Sequence, residues 1–166
     1  MTAPMLRPAV LDDMVHVQAI YAHHVRTGTG SFEIEPPDLA EMKRRFGEVI
    51  ERKLPFLVCE RDGCIAGYAY ANFYRPRAAY RFTCEDSVYI DPVFQKLGIG
   101  QSLLSALIEG SAKSGFKQMV AVIGGSDNLG SIRLHERNGF ERVGLLPNVG
   151  FKFDRWLDSV LMQRAL

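Results

Sequence analysis

The residues able to do chemistry fall in two stretches of this 166-residue chain. The first, "EDSVYIDPVFQKLGIGQSLLSALIEG" from Glu85 to Gly110, sets a carboxylate on a strand-like run. It then places Gln95, Gly98 and Gly100 as Q-x-x-G-x-G ahead of a leucine-striped helix. A helix N-terminus leaves about four N–H groups unpaired and carries a partial positive charge. Glycines let an anion come close to that backbone. Phosphate or pyrophosphate binding is the chemistry this suits. A P-loop needs Gly-Lys-Ser or Gly-Lys-Thr, which the chain lacks, and a dinucleotide turn wants a small third residue where Leu103 stands. A pyrophosphate cradle of a third kind and a plain glycine-rich turn both remain open. In the second stretch Asn128, Ser131 or Ile132, and His135 recur at helical spacing. They can line a ligand, or His135 can be a buried histidine bonded to backbone. Cys84 lacks a base partner in sequence and reads as a buried strand cysteine rather than a nucleophile. His16, His23 and His24 show no carboxylate spacing that suggests a metal site.

The elements that must position these groups follow from periodicity. "MLRPAV" reads as a first strand. Asp12 or Asp13 then caps a helix running to about Arg26, with Met14, Val17, Ile20 and Tyr21 on one face. The loop "TGTGSFEIEPPD" leads to a second helix from Pro37 or Asp38 to Arg52. "PFLVCE" and "IAGYAYANFY" flank the hairpin signal Asp62-Gly63. "RFTCEDSVYI" is the next strand, followed by a helix from Gln101 to Ser114. "QMVAVIG" reads as a strand buried on both faces. A helix from Leu129 to Asn138 stops at Asn138-Gly139. "FERVGLLPNVG" and "RWLDSVLMQRAL" form two more strands. The order β-α-α-β-β-β-α-β-α-β-β predicts an α/β fold with a mixed, partly antiparallel central sheet flanked by helices, in one domain spanning 1–166.

Bulk properties narrow the class. Hydrophobic residues at 47% and charged ones at 23% fit an ordinary globular domain. A net charge of +1 argues against nucleic acid as a partner. No apolar run approaches the ~18 residues of a membrane span, and "MTAPMLRPAV" lacks a signal-peptide core. Three cysteines without C-x-x-C suggest neither a disulfide framework nor zinc, so a reducing cytoplasm is the simplest home.

Gln95-Lys96-Leu97-Gly98-Ile99-Gly100 resembles the (Arg/Gln)-x-x-Gly-x-(Gly/Ala) motif of the GNAT superfamily of acyl-CoA N-acetyltransferases. A second motif of that superfamily is matched by Asn128, Ser131 and "LHERNGF", with His135 where many members carry tyrosine. The stretches "TGSFEIEPPD", "YAYANFYRPRAAYRFTCEDSVYI", "QMVAVIGG", "SIRLHERNGF" and "VGFKFDRWLD" are similar to the phosphinothricin and methionine sulfoximine acetyltransferase branch. The resemblance implies the GNAT fold, acetyl-CoA as co-substrate with no metal, a small amino acid's α-amine as acceptor, and a homodimer. Residues 95–100 with Asn128 and Ser131 would hold coenzyme A, and the backbone of Val88, Tyr89 and Ile90 would pair with its pantetheine arm.

That reaction needs a base, because an amine at pH 7 is mostly ammonium, and fixed donors for an oxyanion. In the branch's "E-x-S-V-Y" setting Glu85 is implied as the base, while neighbouring Asp86 faces the other way and reads as structural. His135 is the second catalytic candidate, at the thiol end. An amino acid's carboxylate suits arginine, and the resemblance points to Arg75-Pro76-Arg77; Phe32 and Glu33 of the first loop can close over the acceptor side chain. Transfer to a protein N-terminus or polyamine, and a non-catalytic acyl-CoA-binding regulator, are the competing readings.

Overall fold

The computed structural model describes residues 3–166; residues 1 and 2 of the expected domain lie outside the described ones. Strand β1 (Met5–Pro8) leads through a short 3-10 turn into α1 (Met14–Thr27), and α2 spans Leu39–Glu51. Strands β2 (Phe56–Arg61), β3 (Cys64–Phe73) and β4 (Thr83–Ile90) follow. Then come α3 (Ile99–Lys113), β5 (Gln118–Gly124), α4 (Leu129–Arg137), β6 (Glu141–Lys152) and β7 (Arg155–Ala165). This is the element order expected from periodicity.

Local chemistry accounts for most boundaries. Asp38 caps α2, its Oδ1 accepting from Glu41 N–H at 2.8 Å. Asp62 and Gly63 take φ of 51° and 76°, the paired left-handed turn that joins β2 to β3. One expectation is corrected. Asp13 precedes α1 but its side chain does not cap it. Both oxygens instead accept from Arg7 at 2.8 Å, and Oδ2 also takes the Val10 N–H. A bidentate guanidinium outcompetes the helix end for this carboxylate, and the bridge ties β1 to the turn before α1.

Among the described residues seven strands form one sheet, ordered β1-β2-β3-β4-β5-β7-β6. All pairs are antiparallel except β4 with β5. That parallel pair has three rungs, Thr83 with Gln118, Cys84 with Met119 and Glu85 with Val120. Beyond Glu85 the two strands part. The fork explains a second correction: "QMVAVIG" is not buried on both faces throughout, because Val122, past the last rung, is 41% exposed. Helices α1 and α2 cover the face bearing Tyr68, Tyr70 and Tyr89, with ring contacts Tyr21–Tyr89 at 5.1 Å and Phe46–Phe56 at 5.2 Å. On the other side α3 buries Leu103, Leu104 and Leu107 completely, beside a core that includes Ala69, Ala71 and Cys84.

Candidate active site

The glycine turn is built for an anion. Asp91 starts it, its Oδ1 accepting from Val93 N–H at 2.9 Å. Lys96 and Gly98 both adopt left-handed backbone, φ 61° and 80°. Gly98 is the N-cap of α3, and no side chain accepts from the first turn. The first N–H groups of α3 are therefore left for a ligand. A Cβ on Gly98 would meet nothing within 4 Å, so its requirement is conformational. At Gly100 the constraint is space: a Cβ would lie 3.4 Å from Leu134 and 3.7 Å from Ile90.

The fork supplies the second half. Past Glu85, strand β4 and residues Ala121–Gly124 of β5 face each other across a cleft instead of bonding. Strand edges carry unpaired donors and acceptors that a peptide-like ligand can pair. One cleft of about 1030 Å³ runs from the apex to the glycine turn, lined by Glu85–Ile90, Gln95, Lys96, Gly98, Ile99 and Gly100 on one side and by Asn128, Ser131 and His135 on the other. Leu97 alone of the expected cradle residues does not line it. Asn128 spends its Oδ1 on capping α4, accepting from Ser131 N–H at 3.3 Å.

Glu85 sits at the apex. Burial pushes its carboxyl up to about 7; the charge of Asp86 adds to this and Arg75 opposes it. A carboxyl poised there holds or releases a proton near neutral pH. On the opposite face of β4, Asp86 Oδ2 lies 2.9 Å from His135 Nε2. His135 Nδ1 donates to the Ser131 carbonyl at 2.7 Å. Both ring nitrogens are thus engaged, and His135 presents no free nitrogen to the cleft. Burial lowers the proton affinity of this imidazole, but Asp86 and the Ser131 carbonyl outweigh it and the net direction is up. Burial also raises the Cys84 thiol to about 12, which leaves no thiolate for nucleophilic work near neutral pH.

Beside Gly124 the Phe32 ring lines the cleft and lies in a slot floored by two glycines. A Cβ at Gly124 would fall 2.7 Å from the ring, and one at Gly150 would fall 2.5 Å from it. The loop carrying Phe32 is anchored by Lys152, buried, whose Nζ donates to the carbonyls of Gly28 and Ser31 at 2.9 Å each. Tyr21 Oη and Ser31 Oγ lie 2.8 Å apart beneath it. Arg75, Pro76 and Arg77 do not line the cleft; they form an exposed turn between β3 and β4, with Arg75 over the Tyr74 ring. The Arg75 charge nevertheless reaches Glu85.

Three participants escaped the sequence reading: Asp86 as the partner of His135, Lys152 as the loop anchor, and His24. The His24 Nε2 donates to the Ile90 carbonyl at 2.7 Å at the cleft wall, and burial lowers its proton affinity. None has a local signature, since their partners lie 49 to 124 residues away. Among the described residues no cluster of three metal-ligating side chains occurs.

The description "Acetyltransferase (GNAT) family" matches residues 17–140. The chain belongs to the GNAT acetyltransferase family. Its similarity to a phosphinothricin N-acetyltransferase of Alcaligenes faecalis is 54% identity over 155 residues, 93% of this chain and 79% of that protein. An L-methionine sulfoximine/L-methionine sulfone acetyltransferase of Pseudomonas aeruginosa is 40% identical over 162 residues, covering 97% and 94%. A solved GNAT superfamily phosphinothricin acetyltransferase from Sinorhizobium meliloti, in complex with AcCoA, superposes with a TM-score of 0.96 at 43% identity, over 99% of this chain and 89% of that one. The mixed seven-stranded sheet is thus the GNAT fold.

Proposed function

We propose that this acetyltransferase moves acetyl from acetyl-CoA to the α-amine of a small amino-acid-like acceptor of the phosphinothricin, methionine sulfoximine or methionine sulfone type, directly and with Glu85 as general base. The observation that carries it is Glu85 at the last rung of the β4–β5 pair, with its carboxyl near 7. The names of the relatives supply the acceptor class.

The residues fit the co-substrate. The uncapped start of α3 and the left-handed Lys96 and Gly98 suit a pyrophosphate. The edge of Val88–Ile90, free of β5 and with only its Ile90 carbonyl taken by His24, suits the amides of a pantetheine arm, which would enter as an added strand. Bound acetyl-CoA supplies the acetyl thioester at the apex of the fork. There Glu85 would take the proton of the attacking ammonium, freeing the amine lone pair; the C–N bond forms as the C–S bond breaks, and coenzyme A leaves as its thiolate, which picks up a proton as free thiol. Phe32 and the loop held by Lys152 exclude water on the acceptor side, and Arg75 or Arg77, on the exposed turn outside the cleft lining, draws the acceptor carboxylate from there, as the Arg75 charge already reaches Glu85. Cys84 takes no part.

The protein acts as a homodimer through β6, an edge strand whose Val143, Leu145, Val149 and Phe151 are all exposed, as is Trp156 of its partner β7. An apolar sheet edge of this kind is covered by a second copy in a soluble protein.

The test is steady-state kinetics with free-thiol detection over phosphinothricin, methionine sulfoximine and methionine sulfone, beside ordinary amino acids, a polyamine and a peptide with a free N-terminus. The highest kcat/KM is expected within the first three. A higher value for the polyamine or the peptide overturns the acceptor assignment.

A further inference from the structure

We propose that the buried Asp86–His135 pair, held on one face of β4, governs when Glu85 on the opposite face carries its charge. The proposal rests on Glu85 as the base for its catalytic consequence, though not for the coupling itself.

The geometry comes first. Asp86 and His135 side chains are only 2% and 5% exposed, and their 2.9 Å contact is closed to water. The Ser131 carbonyl can only accept, so His135 Nδ1 carries a hydrogen. With Nδ1 committed, one hydrogen lies between Nε2 and Asp86 Oδ2, and the Asp86 contact favours keeping it on the ring. The pair is lopsided. Oδ2 faces His135 Nε2, whereas Oδ1 is buried and, among the described residues, receives no hydrogen bond. Its negative charge is undamped on that side, in a medium where charge is screened weakly. Glu85 is the adjacent residue, and the His135 ring lies beyond the carboxylate. The nearer carboxylate therefore counts for more than the ring, and it adds to burial, the larger cause, in raising Glu85; it adds likewise to the burial that raises Cys84.

The other groups facing Glu85 cannot substitute for this control. From the turn before β4, Arg75 acts in the opposite sense and is exposed. From β3 the neighbours are Asn72, paired opposite Glu85, and Tyr70, with Arg45 of α2 and Glu33 of the 28–38 loop beyond that ring. From β5 comes Val120, uncharged. Asp86 is the one other acidic residue on Glu85's own strand, and His135 is its hydrogen-bond partner. Asp86 and His135 are positioning residues in this scheme; neither donates to nor accepts from the reacting atoms.

The experiment uses Asp86→Asn, which keeps the shape and removes the charge, with Asp86→Ser as a second variant should the amide fold poorly. The Glu85 carboxyl is followed by carbon-13 NMR titration, assigned through Glu85→Gln, in the free enzyme. The pH profile of kcat/KM is measured in parallel. Removing Asp86's charge is expected to move the Glu85 midpoint down by about one unit, and the acidic limb of kcat/KM down with it. A merely structural role would lower activity without moving either midpoint. An unchanged Glu85 titration in both folded variants overturns the proposal. If the NMR midpoint moves and the kinetic limb does not, the coupling stands and the base assignment falls.

Discussion

Glu85 stands opposite Val120 on the last rung that joins β4 to β5. One residue further the strands no longer bond, so this carboxylate lies where a paired sheet becomes an open cleft. That position both half-buries the group and leaves it reachable from the fork.

Glu85→Gln removes the base and keeps the shape. Turnover is expected to fall by about 10²–10⁴ with an unchanged Kd for acetyl-CoA by calorimetry. In the native enzyme kcat/KM rises through about pH 7 as Glu85 deprotonates, and that limb is absent from the variant. Full turnover at neutral pH in the variant removes Glu85 from the mechanism.

The same group makes a stability prediction of defined sign. Its folded pKa is raised, so the fold retains the proton longer than the unfolded chain does. Stability is therefore lost as pH climbs from about 4.5 to about 7. Glu85→Gln escapes that loss. Above pH 7 it is expected to be more stable than the parent by on the order of 1–3 kcal/mol, and near pH 4 the advantage vanishes. Denaturant midpoints at the two pH values decide it.

Gly98→Val forces a β-branched residue into φ 80°. The substitution is expected to weaken acetyl-CoA binding by about tenfold, because the turn must reshape even though space for the side chain exists. An unchanged dissociation constant takes the turn out of the binding account.

Gly150→Ala puts a methyl group against the Phe32 ring. The ring must leave its slot, and KM for the amine is expected to rise while Kd for acetyl-CoA stays constant. Equal effects on both ligands refute the separation of acceptor and donor sides.

Direct transfer predicts that Cys84→Ala retains turnover, since its buried thiol stays protonated. Single-turnover acid-quench of the parent enzyme should then yield no acetyl bound to protein. Recovery of acetyl-enzyme decides against a single step.

Much of this architecture could be read from local pattern. Asp38 as a cap, Asp62-Gly63 as a hairpin turn and the leucine stripe of α3 are short-range signals, and each predicts its element. The cradle is similarly compact, with its glycines within six residues of Gln95. The fork is not local. Its three rungs join Thr83–Glu85 to Gln118–Val120, segments far apart in sequence, so no short-range pattern marks where the pairing stops. Nor does sequence spacing reveal that Asp86 bonds His135, 49 residues later. Asp13 shows a local signal outbid by a tertiary one, its capping propensity lost to Arg7. The arginine turn shows the limit of composition: Arg75 and Arg77 have the right chemistry, yet the turn stands outside the cleft lining.

Lys152 joins parts of the chain made far apart in synthesis. Its ammonium reaches carbonyls 121 and 124 residues upstream, so the loop bearing Phe32 acquires this anchor only once the C-terminal hairpin has docked. Contacts of such long sequence separation form late and slowly. A chain emerging from the ribosome can therefore complete the cradle for one ligand well before it completes the wall for the other, and the order of assembly mirrors the division of the cleft.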